Sequence, residues 1–284
     1  MVSFHTLCPM RHLKPALYVF ALNVIISIYL QLNNVLLGFM KDTEAVGYFT
    51  AATKIMVITM SISSALGAVI MPRTSNLIAE ERMDEFKALV QKSYDFIFAL
   101  AMPLMVGLIF TSPSAVLLLS GEGFVPAILT SQIVAFNILT VGLSGVMGIQ
   151  VLYPLGKINI VILCTSIGAI INVFLNVLLI PRYGHNGTAV AYMLAEMTVT
   201  VSMFFIGKRY IPIRFLKRQH LNYVLGSVVM GVCLYFISWL GLGNTATLVM
   251  MISMGGIVYV VILLFLRDSI GMIPWKILRE KFGK

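Results

Sequence analysis

Charge is what this sequence has least of: 11% of its 284 residues are Asp, Glu, Lys or Arg, against roughly 25% in a soluble domain. A chain that is also 59% hydrophobic, with mean hydropathy +0.96, has too little polar surface for a water-soluble globule. It reads as an all-α polytopic membrane protein. Cysteine is scarce too. Cys8, Cys164 and Cys233 lie far apart, which excludes a disulfide framework and a thiolate metal or redox motif. Carboxylates and histidines form no cluster, and the 18 methionines are not joined by His or Cys, so neither metal nor cofactor is expected. A removable leader is not expected either, because the apolar run after Arg11 and Lys14, about 25 residues, is too long for a signal peptide.

Apolar runs are what the chain has in excess. Eight spans are predicted, at residues 16–40, 45–71, 93–111, 126–149, 158–180, 185–207, 219–241 and 245–266. The net charge of +9 would suit nucleic acid, but its placement says otherwise. With the N-terminus inside, the inner segments hold seventeen of the twenty Lys and Arg residues; Lys41 and Arg182 fall outside, and Lys54 lies within a span. That asymmetry places both termini in the cytoplasm, and the basicity is topological. No nucleic-acid partner is implied.

The first two spans form an apolar hairpin with polar residues along one side: Asn23, Ser27, Gln31 and Asn34, then Gly47, Thr50, Lys54, Ser61, Ser64 and Ala68. Such spacing puts each set on one helix face. Unsatisfied polar groups in hydrocarbon cost several kcal/mol each, so the hairpin reads as one wall of a cavity. Stripes recur in the fourth span (Thr130, Asn137, Ser144), the fifth (Thr165, Asn172, Asn176) and the sixth (Thr188, Tyr192, Glu196, Thr200). Gly142, Gly145 and Gly148 of the fourth follow no strand and read as sites of close helix packing. The last two spans carry only small polar residues, near their ends. A six-helix bundle around a cavity with a two-helix appendage follows, the basic stretch KRYIPIRFLKR between them lying along anionic headgroups.

Elsewhere, Pro103 predicts a kink in the third span, and SPSAVLLLSGEGF reads as a segment dipping back into the interface. Residues 72–92 read either as an amphipathic helix on the membrane surface or as a solvated helical connection. Three ionisable residues sit within spans. Lys54 either snorkels to the external interface or offers an anion site to the cavity. Glu196 is either a packing residue, a proton or cation coupling site, or the ion partner of Lys54. Asp95 reads as a carboxylate at a helix start.

The stretches QLNNVLLGF, VGYFTAATKI, MPRTSNLIAEERMDEFKALVQKS, YPLGKIN and INVFLNVLLIPRYGHNGTAVAYMLAE resemble the polysaccharide, or O-antigen type, flippases of the multidrug/oligosaccharidyl-lipid/polysaccharide exporter superfamily. The last is the most specific, with its Asn pair, Ile-Pro turn and G-x-x-G-T-A helix start. The resemblance implies two six-helix lobes with a central cavity and two added C-terminal helices, working by alternating access on a lipid-linked oligosaccharide. Only the second lobe and the added pair are matched. Residues 1–14 resemble an interlobe linker, 15–208 the six-helix lobe, 209–218 a basic cytoplasmic linker, 219–267 the appended pair and 268–284 a basic tail. The sequence is then a fragment, or a separate chain supplies the N-terminal lobe. Asn33 stands where many relatives have aspartate.

The function implied is flipping of undecaprenyl-pyrophosphate-linked oligosaccharide repeat units in the bacterial inner membrane, beside the polysaccharide polymerase machinery. Lys54 would meet the pyrophosphate; Gln31, Asn34, Asn137 and Asn172 the sugar hydroxyls; Glu196 would couple to an ion gradient. The rival readings are a drug/cation antiporter of the same superfamily, a membrane-embedded transferase and an inactive remnant. A transporter, not an enzyme, is expected.

Overall fold

The computed structural model describes residues 13, 17, 20, 24, 27, 31–211, 213–215 and 217–266. Expectations that rest on Asn23, Cys8, the lead-in and the basic tail lie outside these residues. The helices are α1 (residues 31–40), α2 (Thr43–Ala79), α3 (Met83–Ser120), α4 (Ala127–Val134), α5 (Phe136–Gly145), α6 (Ile158–Gly207), α7 (Arg218–Ser238) and α8 (Asn244–Phe265), with a π-helical turn at Val146–Leu152. No strand occurs among the described residues.

Six helical stretches are long and apolar enough to cross a membrane. The 50-residue α6 counts twice. Its backbone leaves helical geometry at Gly184, with φ 54° and ψ −131°, a conformation that glycine adopts without steric cost. Leu179 and Gly187 would stand ~12 Å apart along a continuous helix. Instead the carbonyl oxygen of Leu179 lies 2.6 Å from where a Cβ on Gly187 would sit, and Gly168 lies against Val199 in the same antiparallel sense. The H-N-G-T-A stretch is therefore the apex of a helical hairpin. The described residues thus pass seven times, and the chain is a multi-pass membrane protein.

Three differences from the predicted elements have physical causes. α2 runs on through Pro72 to Ala79, with Thr74 and Ser75 donating hydroxyl hydrogen bonds to the Met71 carbonyl, as Ser and Thr do where proline interrupts a membrane helix. It turns at Glu81, in left-handed conformation with φ 58°, where the Arg82 N–H reaches back to the Leu77 carbonyl. Arg82 clips the turn to Glu80 and Glu85, and those carboxylates, Glu85 foremost, push its guanidinium pKa up. Residues 72–92 are thus the end of α2, a turn and the start of α3, not a separate helix. α3 in turn stays one helix through Pro103 and Pro113 to Ser120, so the segment predicted to dip back is its last turns.

Packing divides into three clusters. At one end Leu37, Phe49, Met56, Met102, Ile138, Ile180 and Tyr192 join α1 through α6. At the basic end Phe86, Val90 and Tyr94 of α3 meet Met147 and Leu152 of the π-helical turn and Met203 of α6, with Ile211 and Ile213 of the linker buried among them. The third joins Ala99 of α3 to Tyr223, Met230, Leu234, Met251 and Tyr259 of α7 and α8. The linker therefore folds onto the bundle at Ile211 and Ile213, while Lys208, Arg209, Tyr210, Arg214 and Arg218 are exposed. Of the three glycines of the fourth span, Gly142 packs against Ile97 and Gly148 against Met203, whereas Gly145 has open space.

Candidate functional site

The predicted polar stripes of the two halves of α6 face inward. Thr165, Asn172 and Asn176 on the first half of α6, and Thr188, Tyr192, Glu196 and Thr200 on the second, are all buried. Large apolar residues such as Phe39, Phe174, Phe205 and Phe265 are exposed on the outside, where hydrocarbon would meet them.

Against the inward side of the first hairpin lies a cleft of about 360 Å³. Gln31, Asn33 and Asn34 of α1, Thr53 and Lys54 of α2, and Tyr192 of α6 supply its polar lining; Phe49, Met56, Val57 and Ile58 supply the rest. The two arms are tied across its edge by the Thr50 hydroxyl, which donates to the Asn34 side-chain oxygen at 3.4 Å. Phe49 and Tyr192 meet edge to face, with centroids 6.5 Å apart, and form its inner wall.

Lys54 is exposed into this opening and makes no ion pair among the described residues. Gln31 is exposed beside it and Asn34 is half-buried. The cleft has one cation and no carboxylate in its lining. A site of that composition suits an anionic group flanked by hydroxyls, since an ammonium offers three donors and amides offer both donors and acceptors.

Three predicted residues stand elsewhere. Asn172 is fully buried: Asn176 Nδ2 shares its two hydrogens among Asn172 Oδ1 at 3.1 Å, the Asn172 carbonyl at 2.9 Å and Asn33 Oδ1 at 2.8 Å, while Asn172 Nδ2 has no hydrogen-bond partner among the described residues. This network fastens the cleft wall at Asn33 to the fifth span. Asn137 is fully buried outside the cleft, and neither of its side-chain polar atoms has a hydrogen-bond partner among the described residues. Glu196 is 9% exposed, one helical turn beyond Tyr192 on the same face. The π-helical turn adds one interior polar residue that the pattern did not single out: Gln150, whose Oε1 accepts the Ser93 hydroxyl at 2.6 Å. Thr53 also lines the cleft although it is off the predicted stripe, because it flanks Lys54 on the helix.

Residues 3–129 match the family described as polysaccharide biosynthesis protein. A probable low-salt glycan biosynthesis flippase, Agl15 of Haloferax volcanii, is 24% identical over 237 residues, covering 83% of this chain and 50% of that protein. An uncharacterized membrane protein of Methanocaldococcus jannaschii is 21% identical over 173 residues, covering 61% of this chain and 34% of that one. Among solved structures, the lipid II flippase MurJ in an inward closed conformation superposes with a TM-score of 0.76 at 17% identity, covering 88% of this chain and 53% of that chain. The chain spans half or less of the length of the curated relatives it matches. These likenesses support the resemblance to the polysaccharide flippases carried by the sequence motifs.

Proposed function

We propose that this chain is one lobe of a transporter that turns a lipid-linked saccharide across the membrane, with both termini in the cytoplasm. The observation that carries this reading is Lys54: one cation without an ion-pair partner among the described residues, on a cleft otherwise lined by amides, a threonine, two aromatic rings and the aliphatic Met56, Val57 and Ile58. The named flippases among the relatives agree with it. In finer terms, the substrate is an undecaprenyl-pyrophosphate-linked oligosaccharide carried by alternating access. Lys54 meets the pyrophosphate, and Gln31 and Asn34 meet sugar hydroxyls. Asn137 and Asn172 act from behind, shaping the wall, while Glu196 serves ion coupling.

The drug/cation antiporter reading is weaker on the same observation, because a cationic substrate would meet Lys54 with no carboxylate in the cleft lining to offset it. The test is made in the source cell. With the chain deleted, lipid-linked saccharide accumulates on the cytoplasmic face of the membrane, and re-expression restores its sidedness. Unchanged sidedness on deletion overturns the reading. A Glu196→Gln protein is expected to move the pH dependence of translocation; an unaltered profile removes the coupling role.

A further inference from the structure

Two corners of the basic end treat their charges in opposite ways. At the turn between α2 and α3 the charges cancel: Arg82 bridges Glu80 and Glu85 at 2.7 Å each, and Lys87 pairs with Asp84 at 3.2 Å. Where α6 ends and the linker runs on to α7, they do not. Of the five cations from Lys208 to Arg218, Lys217 turns inward, its Nζ 2.6 Å from Asp95, which also accepts His220 Nε2 at 3.0 Å. Lys208, Arg209, Arg214 and Arg218 are exposed, as is Lys157, which the loop before α6 brings to Tyr210 of the linker. None of these five makes an ion pair among the described residues. Beyond the described residues the sequence holds two carboxylates, Asp268 and Glu280, in a stretch with five cations of its own. No fold of that stretch onto this corner would neutralise it.

The same cations stand at the depth of phospholipid headgroups. Phe205 is the last large apolar residue exposed on α6 and Leu221 the first on α7, so the edge of the hydrocarbon crosses the chain about one turn before Lys208 and one turn after Arg218. Two ammonium groups are held at that edge by aromatic rings: Lys208 Nζ lies 4.8 Å from the Phe205 centroid and Lys157 Nζ 5.5 Å from that of Tyr210. Tyr210 is itself exposed, and an amphipathic ring settles at headgroup level. The backbone beneath is fixed. Ile211 and Ile213 are buried in the bundle, and the Gln91 side chain accepts the Arg214 N–H at 2.8 Å and donates to the Arg214 carbonyl at 3.3 Å. The cations therefore project from a held platform, not from a free loop.

We propose that this corner is a seat for anionic phospholipid headgroups in the leaflet on its side of the membrane, taken by Lys157, Lys208, Arg209, Arg214 and Arg218. A guanidinium presents a planar fork that matches two phosphate oxygens, and the ammonium groups add point charge beside it. A phosphatidylcholine head brings a cation of its own, which these side chains repel; a phosphatidylglycerol head brings none. The partner is lipid because the cations lie between exposed Phe205 and Leu221, where headgroups already are. This inference does not depend on what the cleft transports.

The test uses the full chain in phosphatidylcholine nanodiscs carrying a trace of spin-labelled phosphatidylglycerol or spin-labelled phosphatidylcholine. The immobilised fraction of the electron-resonance spectrum gives the preference of the protein for one lipid over the other. The parent is expected to prefer phosphatidylglycerol about fivefold, which is what one basic residue near an anionic surface supplies. With Lys208→Gln, Arg209→Gln and Arg214→Gln combined, the preference is expected to fall below twofold. A control with Lys41→Gln and Arg182→Gln, exposed cations at the opposite end of the bundle, is expected to keep the parent value. A parent without preference overturns the seat and leaves the corner to an acidic protein. A triple variant that keeps the preference, or a control that loses as much, overturns it too. Should the triple variant fail to elute as a folded species, Lys208→Gln with Arg209→Gln decides: a preference reduced to half or less supports the seat, and a smaller change overturns it.

Discussion

The six-span bundle and the appended pair of helices are built from similar proportions of apolar residue, but they use polar groups differently. In the bundle, interior side chains bond across helices: Asn176 to Asn33, Ser93 to Gln150, Thr130 to Asn186, and Thr200 to the Thr140 carbonyl. In the pair, Ser227, Ser238 and Ser253 bond back to carbonyls of their own helix. A hydroxyl turned back on its own backbone is satisfied without a neighbour, so it says nothing about where the helix sits. A cross-helix bond fixes register. Lipid chains are as apolar as leucine, so packing and polar contacts, not the hydrophobic effect, must position spans against one another. The bundle is specified internally by such contacts, while the pair depends on its seam with α3.

The largest test of that contrast is at the apex of the α6 hairpin. Gly187→Val would drive a branched side chain into the Leu179 backbone, which has no room to yield. A loss of about 3 kcal/mol is expected, at the upper end for overpacking, read as loss of folded protein on size-exclusion chromatography. The analogous change at Gly243, which has open space around it at the head of α8, should leave the yield within a factor of two. Equal losses at both sites would erase the distinction between the regions.

Next comes Asn176→Leu. It removes the donor that serves Asn33 and Asn172 together, taking one hydrogen bond from each of two buried amide oxygens. About 2 kcal/mol is expected from the usual penalty for unsatisfied buried groups, measured by thermal unfolding in detergent. A neutral result would mean that the amides are interchangeable packing and that register is set by shape alone. Lys54→Ala follows, with a different readout. Its side chain is exposed and makes no ion pair among the described residues, so stability should stay within ~0.5 kcal/mol. Translocation should fall about tenfold, equivalent to ~1.4 kcal/mol, and Lys54→Arg should keep most of it. If Lys54→Ala destabilises the fold while transport per folded molecule is unchanged, the residue is structural and the anion-site reading fails.

Much of this division is legible in the sequence because it is local. Polar residues every three or four positions mark the inner face of α6 directly, and the buried Thr188, Tyr192, Glu196 and Thr200 are the predicted set. The sparse polar residues of the last two spans are equally plain. What the sequence hides is long-range. Asp95 reads as a helix-start carboxylate because Lys217 and His220 lie more than 120 positions away, and no local pattern pairs them. The linker reads as a headgroup-bound strap because its charges outnumber Ile211 and Ile213, yet those two residues decide where its backbone lies. The predicted spans stop at residues 71 and 111, short of Pro72 and Pro113; the structure keeps the helix through both. In the cleft, Lys54, Gln31 and Asn34 are legible as a face of the hairpin. Asn137 and Asn172 share the stripe logic but are buried, because a stripe predicts the inward direction and not whether the interior is open there.

The smallest expected effect sharpens the comparison most cleanly, because it changes the same atoms in both regions. Ser93→Ala removes a hydroxyl that donates to Gln150 Oε1 across a helix interface, where Gln150 is 2% exposed and has no other described donor for that oxygen. Ser227→Ala removes an equally buried hydroxyl, but its acceptor is the Tyr223 carbonyl four residues back, which keeps its place in the backbone ladder. The volume change is the same and so is the loss of one hydroxyl. A difference of about 1 kcal/mol is expected between the two variants, the net value of a hydrogen bond plus part of the penalty for leaving an acceptor unpaired. Ser227→Ala itself should lie within ~0.5 kcal/mol of the parent. If the two variants melt together, cross-helix polar contacts contribute no more to the bundle than back-bonded hydroxyls do to the pair, and the positioning of both regions must then come from apolar packing alone.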